Sequence, residues 1–499
     1  MKARTSEERA SVRLPAALAI GFTGHQRLPD EAASRSLLLA FLRERVKLTN
    51  GVVYGVSSIA EGGDLLFTEA CIELGISLQL LLPMPVEALY ASFDLPVRER
   101  ARRVVERAIS VEVVPSQDSN EEGYYDCGIE TVQRSGLLVA LWDGGSSRNI
   151  DWTHRVATFA EKIGRPVVWI HSEKGTVQVL NQAAEDRLLH DPELNFLNDL
   201  PDSGVSYPGE SPTEIATQWF NKIDANASRL APQVRRLASI PILFTAVAAV
   251  LSGAASKSSA PALIAGSAAL GIIAALLPVA LRLDRRQALW ARTRTAAEVC
   301  RSVLALWDAP FQSEVIGPEI GPELAGVLTS LRFLKMQALA HGHVTVETFK
   351  QRYRKERILD QIAYYSRHAD RAEQERRKYR RITVFSVGSA VVLALCWLAG
   401  KMGVAGLHAL SRGNWFGTAL SAFFQGATIV AALEIVHDSG RRQRRYREIH
   451  DWLKDWDRQL EALRTWPSVL KVVVQVEKAL MVELLEWRSL AKNTKLPRK

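Results

Sequence analysis

Four short segments in the first 150 residues are expected to be loops that follow strands, and two of them have the glycine pattern of phosphate-binding loops. Loop 1 is Gly21-Phe22-Thr23-Gly24-His25-Gln26-Arg27, and loop 2 is Ser57-Ser58-Ile59-Ala60-Glu61-Gly62-Gly63-Asp64. The other two are Pro83-Met84-Pro85 and Trp142-Asp143-Gly144-Gly145. Glycines let a backbone approach phosphate closely, and the N–H groups at a helix N-terminus favour an anion. Loops 1 and 2 therefore predict a nucleotide site, with tight turns that hold no ligand as the alternative.

Single side chains in this part of the chain have two interpretations each. His25 either contacts a ligand through a ring nitrogen or is a polar residue at a helix start. Glu61 and Asp64 either hold a ribose hydroxyl or cap the following helix, and for Asp64 the cap is favoured. Tyr124 either stacks on a base or packs against its neighbours, and contact is favoured.

The elements that must position these loops alternate between strand and helix through residues 16–172. Apolar runs predict strands at 16–24, 52–57, 76–83, 110–115, 136–144 and 165–171. Helical spacing predicts helices at 30–46, 63–74, 96–109, 122–135 and 153–163. This order predicts a Rossmann-like α/β domain with a parallel sheet. Ligands of such sheets bind beyond the carboxyl ends of the strands, where all four loops are expected.

Four long uncharged stretches follow in the second half of the chain, at 237–256, 258–281, 382–400 and 413–433. Each has the length of about 20 residues that a membrane-spanning helix needs. Arginine clusters flank the outer ends of both pairs, so the positive-inside rule puts these ends in the cytoplasm. The pattern predicts an all-α region of four transmembrane helices, with hairpins at 237–282 and 382–435 and long cytoplasmic helices. Two buried hairpins in a large soluble core are the alternative.

Composition narrows the remaining function classes. Four cysteines without a CxxC pair exclude a disulfide scaffold and a cysteine-based zinc site. The basic clusters beside the uncharged stretches account for the net charge of +9, so no nucleic-acid partner is expected. The sequence contains no HExxH, Walker A or GxSxG motif. An apolar seam on the charged helices 352–381 and 438–464 predicts helix packing or contact within a homo-oligomer.

The motifs GFTGHQR, SSIAEGGD, LPMP, Tyr124 with Gly128, and LVALWDG occur in this order and resemble the SLOG family of Rossmann-like nucleotide-binding domains. The resemblance implies that a nucleotide-derived ligand is bound, without a cofactor or a metal. The ligand-binding residues that it implies are Gly21, Thr23, Gly24, His25, Arg27, Ser57, Ser58, Glu61, Gly62, Asp64, Pro83, Tyr124, Trp142, Asp143, Gly144 and Thr153.

One place departs from the family pattern. A Gly-Gly-Thr turn usually precedes the helix after the Trp-Asp-Gly loop, and this chain has Asn149-Ile150-Asp151-Trp152-Thr153 instead. Asp151 would repel a phosphate there, and Trp152 would crowd it. The PGGxGT turn and following Glu of the phosphoribohydrolase branch are absent from the sequence, which counts against glycosidic cleavage.

Residues 213–499 are similar to SLATT membrane modules. The helix–hairpin–helix order of such a module occurs twice in this range. The expected organisation is an N-terminal tail (1–15), a SLOG-like domain (16–175), a linker (176–212) and two helical units (213–330 and 331–499). The two resemblances imply a non-enzymatic effector of bacterial conflict or antiphage defence, in which a nucleotide messenger opens a pore or disrupts the membrane. Its expected location is the bacterial inner membrane, with both termini cytoplasmic, and a neighbouring gene is expected to encode the messenger synthase.

Two other functions remain open from the sequence. The first is a nucleotide-processing enzyme that the apolar helices anchor to the membrane. The second is a membrane scaffold with a vestigial nucleotide fold, which the departure at Asp151 and Trp152 favours.

Overall fold

The structure is a computed structural model that describes residues 11–114, 120–144, 152–202, 211–255, 261–282, 286–309, 324–340, 344–403, 415–437 and 439–492. It divides into two compact units. The first takes residues from Met1–Asn226 and Thr293–Thr345, and the second takes residues from Ala227–Arg292 and Val346–Lys499.

A seven-stranded sheet forms the centre of the first unit. Its strands are β1 (Ala17–Gly24), β2 (Val52–Ser57), β3 (Ser77–Leu82), β4 (Ser110–Val113), β5 (Leu137–Trp142), β6 (Val167–His171) and β7 (Val177–Leu180). The spatial order is β4-β3-β2-β1-β5-β6-β7. Strands β1 to β6 are parallel, and β7 pairs antiparallel with β6. The predicted N-terminal α/β domain with a mostly parallel sheet is therefore confirmed.

Helices cover both faces of this sheet, because its strands are apolar on both sides. They are α1 (Glu31–Leu48), α2 (Gly63–Glu73), α3 (Val86–Ala91), α4 (Leu95–Arg107), α5 (Asn120–Arg134), α6 (Trp152–Lys162), α7 (Gln182–His190) and α8 (Pro192–Asn198). Alternate strand residues such as Ile20 and Val139 face α1, α2 and α4. Their neighbours, among them Leu138 and Ala140, face α5 and α6.

The second face of the sheet is completed by a helix from much later in the chain. Helix α12 (Ala325–Leu339) packs on β1 and β2 through Phe333 and Met336, which join Tyr54 and Val56 in one buried cluster. Helix α12 thus spans the predicted boundary between the two helical units, at residues 330 and 331. The predicted linker 176–212 contains β7, α7 and α8.

Helix α9 (Pro212–Ala255) begins in the first unit and ends in the second. In its first turns, the buried Nζ of Lys222 donates to the carbonyl oxygens of Val12, at 3.0 Å, and Asn198, at 2.8 Å. The indole N–H of the fully buried Trp219 donates to Asn198 Oδ1 at 2.8 Å. The start of α9 is therefore an integral part of the α/β unit. Two further helices, α10 (Pro261–Arg282) and α11 (Arg286–Ala305), follow it.

One long helix dominates the second unit. It consists of α13 (Val346–Tyr353), a π-helical turn (Arg354–Leu359) and α14 (Asp360–Lys401). Helices α15 (Trp415–His437) and α16 (Ser439–Ala462) pack along α14, and α17 (Trp466–Lys492) packs against α13 and α16.

Among the described residues, one helix is long and apolar enough to cross a membrane, the continuous helix Val346–Lys401. Its most apolar window has a mean hydropathy of 2.2, and 11% of that window is buried. The other three predicted spans contain shorter apolar segments, Ile240–Ala249, Ala265–Ala274 and Ala422–Ala431. The structure thus supports one of the four predicted spans by this criterion.

Candidate functional site

The candidate site lies where the strand order reverses, at the carboxyl ends of β1 and β5. The chain proceeds from β1 outward to β2, β3 and β4, and then returns to β5 on the other side of β1. Such a switch point opens a crevice in which α/β sheets bind ligands. Gly24, the last residue of β1, is paired with Leu141 of β5. The backbone N–H of His25 donates to the Leu141 carbonyl at 3.1 Å. The structure therefore brings loop 1 to the predicted edge.

The glycines of loop 2 allow that loop to pack against loop 1. Gly62 has a φ of +90°, and a Cβ there would lie 2.1 Å from the Gln26 carbonyl oxygen. The N–H of Gly63 donates to the His25 carbonyl at 2.9 Å, and a Cβ on Gly24 would lie 3.2 Å from the Gly63 Cα. These close contacts require residues without a Cβ, so the packing of the two loops accounts for the glycines without a bound phosphate.

Gly21 has a packing role of its own. A Cβ on this residue would lie 2.5 Å from Ser135 Oγ and 3.1 Å from Thr131 Cγ2, at the end of α5. The glycine therefore lets this part of the chain approach β1 closely. The sequence pattern could not separate this role from ligand approach, because both require a residue without a Cβ.

Loops 1 and 2 lead into the N-termini of α1 and α2. Both N-termini already have a hydrogen-bond acceptor within the protein. Asp30 caps α1, and its side chain accepts the N–H of Ala33 at 2.9 Å. A carboxylate at this position opposes a second anion. At the start of α2, the His25 carbonyl takes the N–H of Gly63, as described above. The glycine loops therefore do not by themselves indicate where a phosphate binds.

Asp64 ties the two loops together. Its carboxylate accepts the backbone N–H groups of Gly24 and Ala60, and α2 has Gly62 as its N-cap without a side-chain hydrogen bond. Desolvation raises the pKa of this carboxyl to about 7, against the lowering effect of the two N–H groups. Asp64 therefore links loop 1 to loop 2, which differs from the helix cap that the sequence favoured.

Tyr124 and Cys127 of α5 lie in the electrostatic surroundings of Asp64. Burial raises the pKa of the Tyr124 phenol to about 12, and the charge of Asp64 adds to this rise. Burial, followed by the same charge, raises the pKa of the Cys127 thiol. Tyr124 also packs against the main core of the unit, which is the packing role that the sequence left as the alternative. Its contact with a ligand base stays a prediction.

Ser57 and Ser58, at the carboxyl end of β2, carry the clearest sign of a missing partner. Ser57 is fully buried and Ser58 is 6% exposed. Among the residues that the structure describes, neither hydroxyl has a hydrogen-bond partner. A buried polar group without a partner costs about 1–3 kcal/mol, so such a group calls for an explanation.

The carboxyl ends of β5 and β6 hold an aromatic cluster. The Trp142 ring lies 5.0 Å from Trp169 and 4.9 Å from His154, between ring centroids. The Trp169 indole N–H donates to the Trp142 carbonyl at 3.1 Å. Gly144 has a φ of +80°, with the Trp169 ring 3.1 Å from the position of a Cβ. Trp169 and His154 could not be predicted from the sequence, because only their spatial proximity to Trp142 identifies them.

The other predicted site residues take less distinctive positions. Asp143 follows β5 and is partly buried, and Thr153 is buried in α6. Pro83 follows β3, where a Cβ on Gly123 would lie 3.3 Å from its side chain. Thr23 and His25 are partly buried, whereas Arg27 and Glu61 are exposed.

The turn that departs from the family pattern is described in part. Asn149, Ile150 and Asp151 lie outside the described residues. The Trp152 ring packs 5.3 Å from the Tyr125 ring, and the Arg155 guanidinium lies over both rings. Within the described ranges, no group of three His, Cys, Asp or Glu residues is placed to hold a metal ion.

Comparison with known proteins adds no relative. No family model matches this chain, and no curated protein matches it.

Proposed function

We propose that this chain is a ligand-gated membrane effector, in which the α/β unit binds a nucleotide-derived messenger and the helical region responds in the membrane. The observation that carries the proposal is the pair of buried, unpartnered hydroxyls of Ser57 and Ser58 at the carboxyl end of β2. They lie at the sheet edge at which α/β domains bind ligands. A messenger that fills this site supplies the missing hydrogen-bond partners.

The α/β unit is connected covalently to the apolar helical region through helix α9. Helix α9 is anchored in the α/β unit by Trp219 and Lys222, and the same helix contains the apolar segment Ile240–Ala249. A change in the α/β unit therefore has a continuous helix to act on. A ligand shifts such an equilibrium only through different affinities for the two states. A change from mostly closed to mostly open requires a difference of about 5.5 kcal/mol.

The proposal retains the finer expectations from the sequence. The helical region forms four spans in two hairpins and assembles as a homo-oligomer in the bacterial inner membrane, with both termini in the cytoplasm. The α/β unit is a SLOG domain, the helical units are SLATT modules, and an enzyme encoded nearby supplies the messenger for antiphage defence. Support comes from the Rossmann-like sheet and from the exposed apolar surface of α14.

Calorimetry on the full-length protein in nanodiscs tests ligand binding. The probes are cyclic oligonucleotides, ADP-ribose and its cyclic isomers. Ser57→Ala and Ser58→Ala remove hydroxyls that have no internal partner, so the fold loses no hydrogen bond. Each variant is expected to bind the active probe about tenfold more weakly. Ser34→Ala is the matched control, because Ser34 is also buried and unpartnered but lies in α1. No binding by any probe, or equal losses in all three variants, would contradict the proposal.

A second candidate function is a membrane-anchored nucleotide-processing enzyme, and Asp64 favours it. A carboxyl with a pKa of about 7 exchanges protons near neutral pH, as a general acid or base must. Incubation of the full-length protein with each probe, followed by chromatography, tests this candidate. Product that forms with the wild type and not with Asp64→Asn would establish an enzyme.

A further inference from the structure

The charged half of α14 packs antiparallel to α16, and its apolar half packs along α15. Arg442 of α16 forms an ion pair with Glu375 of α14 at 2.8 Å, and Arg447 forms an ion pair with Glu373. Further along α14, the rings of Phe385 and Phe423 are in contact. The boundary falls at Ile382, after which α14 exposes large apolar side chains.

Basic residues are concentrated on the charged side of this boundary, in both α14 and α16. Those within 376–381 and 441–447 are Arg376, Arg377, Lys378, Arg380, Arg381, Arg441, Arg442, Arg444, Arg445 and Arg447. Two glutamates neutralise part of this positive charge. Glu373 forms ion pairs with Arg377 and Arg447, and Glu375 forms an ion pair with Arg442. Glu434 of α15 also lies near this level, since its charge contributes to the raised pKa of Tyr379.

Within the described ranges, the three cations of α14 nearest the boundary have no acidic partner. Lys378, Arg380 and Arg381 are exposed, and no ion pair engages them in the part of the chain that the structure describes. We call these three residues the cationic collar. They lie within one helical turn of Ile382, so their flexible side chains can reach the level at which the apolar surface begins.

We propose that the cationic collar binds the headgroups of anionic phospholipids. Val384 is 64% exposed and Phe385 is 68% exposed directly beyond the collar, and these side chains suit acyl chains. A surface with exposed apolar residues on one side and unpaired cations on the other is complementary to the border of an anionic leaflet. The inference rests on the proposed membrane insertion and is independent of the nucleotide site.

Lipid retention on the full-length protein tests the collar. The protein is equilibrated in mild detergent with equal amounts of phosphatidylcholine and phosphatidylglycerol, and the retained lipids are counted by mass spectrometry. The collar variant is Lys378→Gln, Arg380→Gln and Arg381→Gln. The control is Lys454→Gln, Lys471→Gln and Lys478→Gln, which removes three exposed charges of the same unit away from the boundary.

The wild type and the control are expected to prefer phosphatidylglycerol, and the collar variant is expected to lose that preference. Each cation near an anionic surface contributes about fivefold to such binding. Equal retention of both lipids by the wild type, or an unchanged preference in the collar variant, would overturn the proposal. A change of oligomer mass in the collar variant without a change in lipid preference would assign the collar to a second copy instead. Failure of the wild type to enter nanodiscs would refute membrane insertion, which the lipid count alone does not test.

Discussion

The ring of Phe333 in α12 packs against the ring of Tyr54 in β2, with 5.5 Å between ring centroids. Both residues are almost fully buried. A helix from beyond the first two apolar segments therefore forms part of the core of the N-terminal sheet. A fragment that ends at residue 212 would leave this face of β2 uncovered, so ligand binding should be measured on the full chain.

Phe333→Ala should destabilise the α/β unit locally, because it leaves a cavity over β2. A buried Phe→Ala change costs about 3–5 kcal/mol. Hydrogen exchange followed by mass spectrometry should show faster exchange in the peptide that contains 52–57. The exposed Leu95 offers a control, since Leu95→Ala should leave that peptide unchanged. Equal protection of 52–57 in the wild type and Phe333→Ala would show that α12 does not stabilise the sheet.

Gly62→Ala and Gly75→Ala should differ in severity, although both glycines have a positive φ. Gly75 has open space around the Cβ position, so its substitution costs only the backbone strain of about 1–2 kcal/mol. At Gly62 the new methyl group also meets the Gln26 carbonyl. Thermal unfolding should therefore show a clearly larger loss for Gly62→Ala. Equal losses would mean that the two loops do not approach as closely as described.

The raised pKa of Asp64 should give the α/β unit a specific pH dependence. Folding favours the protonated carboxyl, because the pKa is about 7 in the folded state and 3.8 ordinarily. The stability from this group is fully present below pH 3.8 and is lost as the pH rises through about 7. Asp64→Asn cannot ionise and should flatten the fall of the melting temperature between pH 5 and about 8. Asp94→Asn, at an exposed helix start, should keep the wild-type slope, and a wild-type slope in Asp64→Asn would refute the assignment.

Arg357 and Glu477 form a buried bidentate ion pair, with N–O distances of 2.8 and 2.7 Å. The Tyr353 hydroxyl donates to the same carboxylate at 2.8 Å. Glu477→Leu alone should destabilise the packing of α17 on the π-helical turn by about 3–5 kcal/mol, because it leaves a buried cation unpaired. Adding Arg357→Met should recover most of this loss. Limited proteolysis between 463 and 466 reports the packing, and a double variant as labile as Glu477→Leu would contradict this account.

The sequence predicted the sheet well because local patterns determine its elements. The predicted strand 52–57 has the bounds of β2, and the predicted helix 63–74 differs from α2 by one residue. An apolar run between turn residues depends only on neighbours in the chain. Helix α12 could not be assigned in this way, because an apolar face does not specify what covers it.

The candidate site was harder to predict than the fold. The sequence placed loops 1 and 2 at the carboxyl ends of β1 and β2, where the structure has them, because strand ends follow from the strand assignments. Their roles depend on three-dimensional contacts, such as the approach of Gly62 to Gln26 and the hydrogen bonds that the Asp64 carboxylate accepts from the Gly24 and Ala60 N–H groups. The missing partners of Ser57 and Ser58 are likewise a property of burial, which a sequence of two serines does not reveal.

Leakage of a fluorophore from liposomes tests ligand gating most directly. Full-length protein is reconstituted in vesicles, and the probes named above are added one at a time. We expect leakage with at least one probe, loss of that response in the Ser57→Ala and Ser58→Ala double variant, and retention in Ser34→Ala. Leakage that is the same with and without every probe, or a response unchanged in the double variant, would contradict the claim that this sheet edge controls the membrane helices.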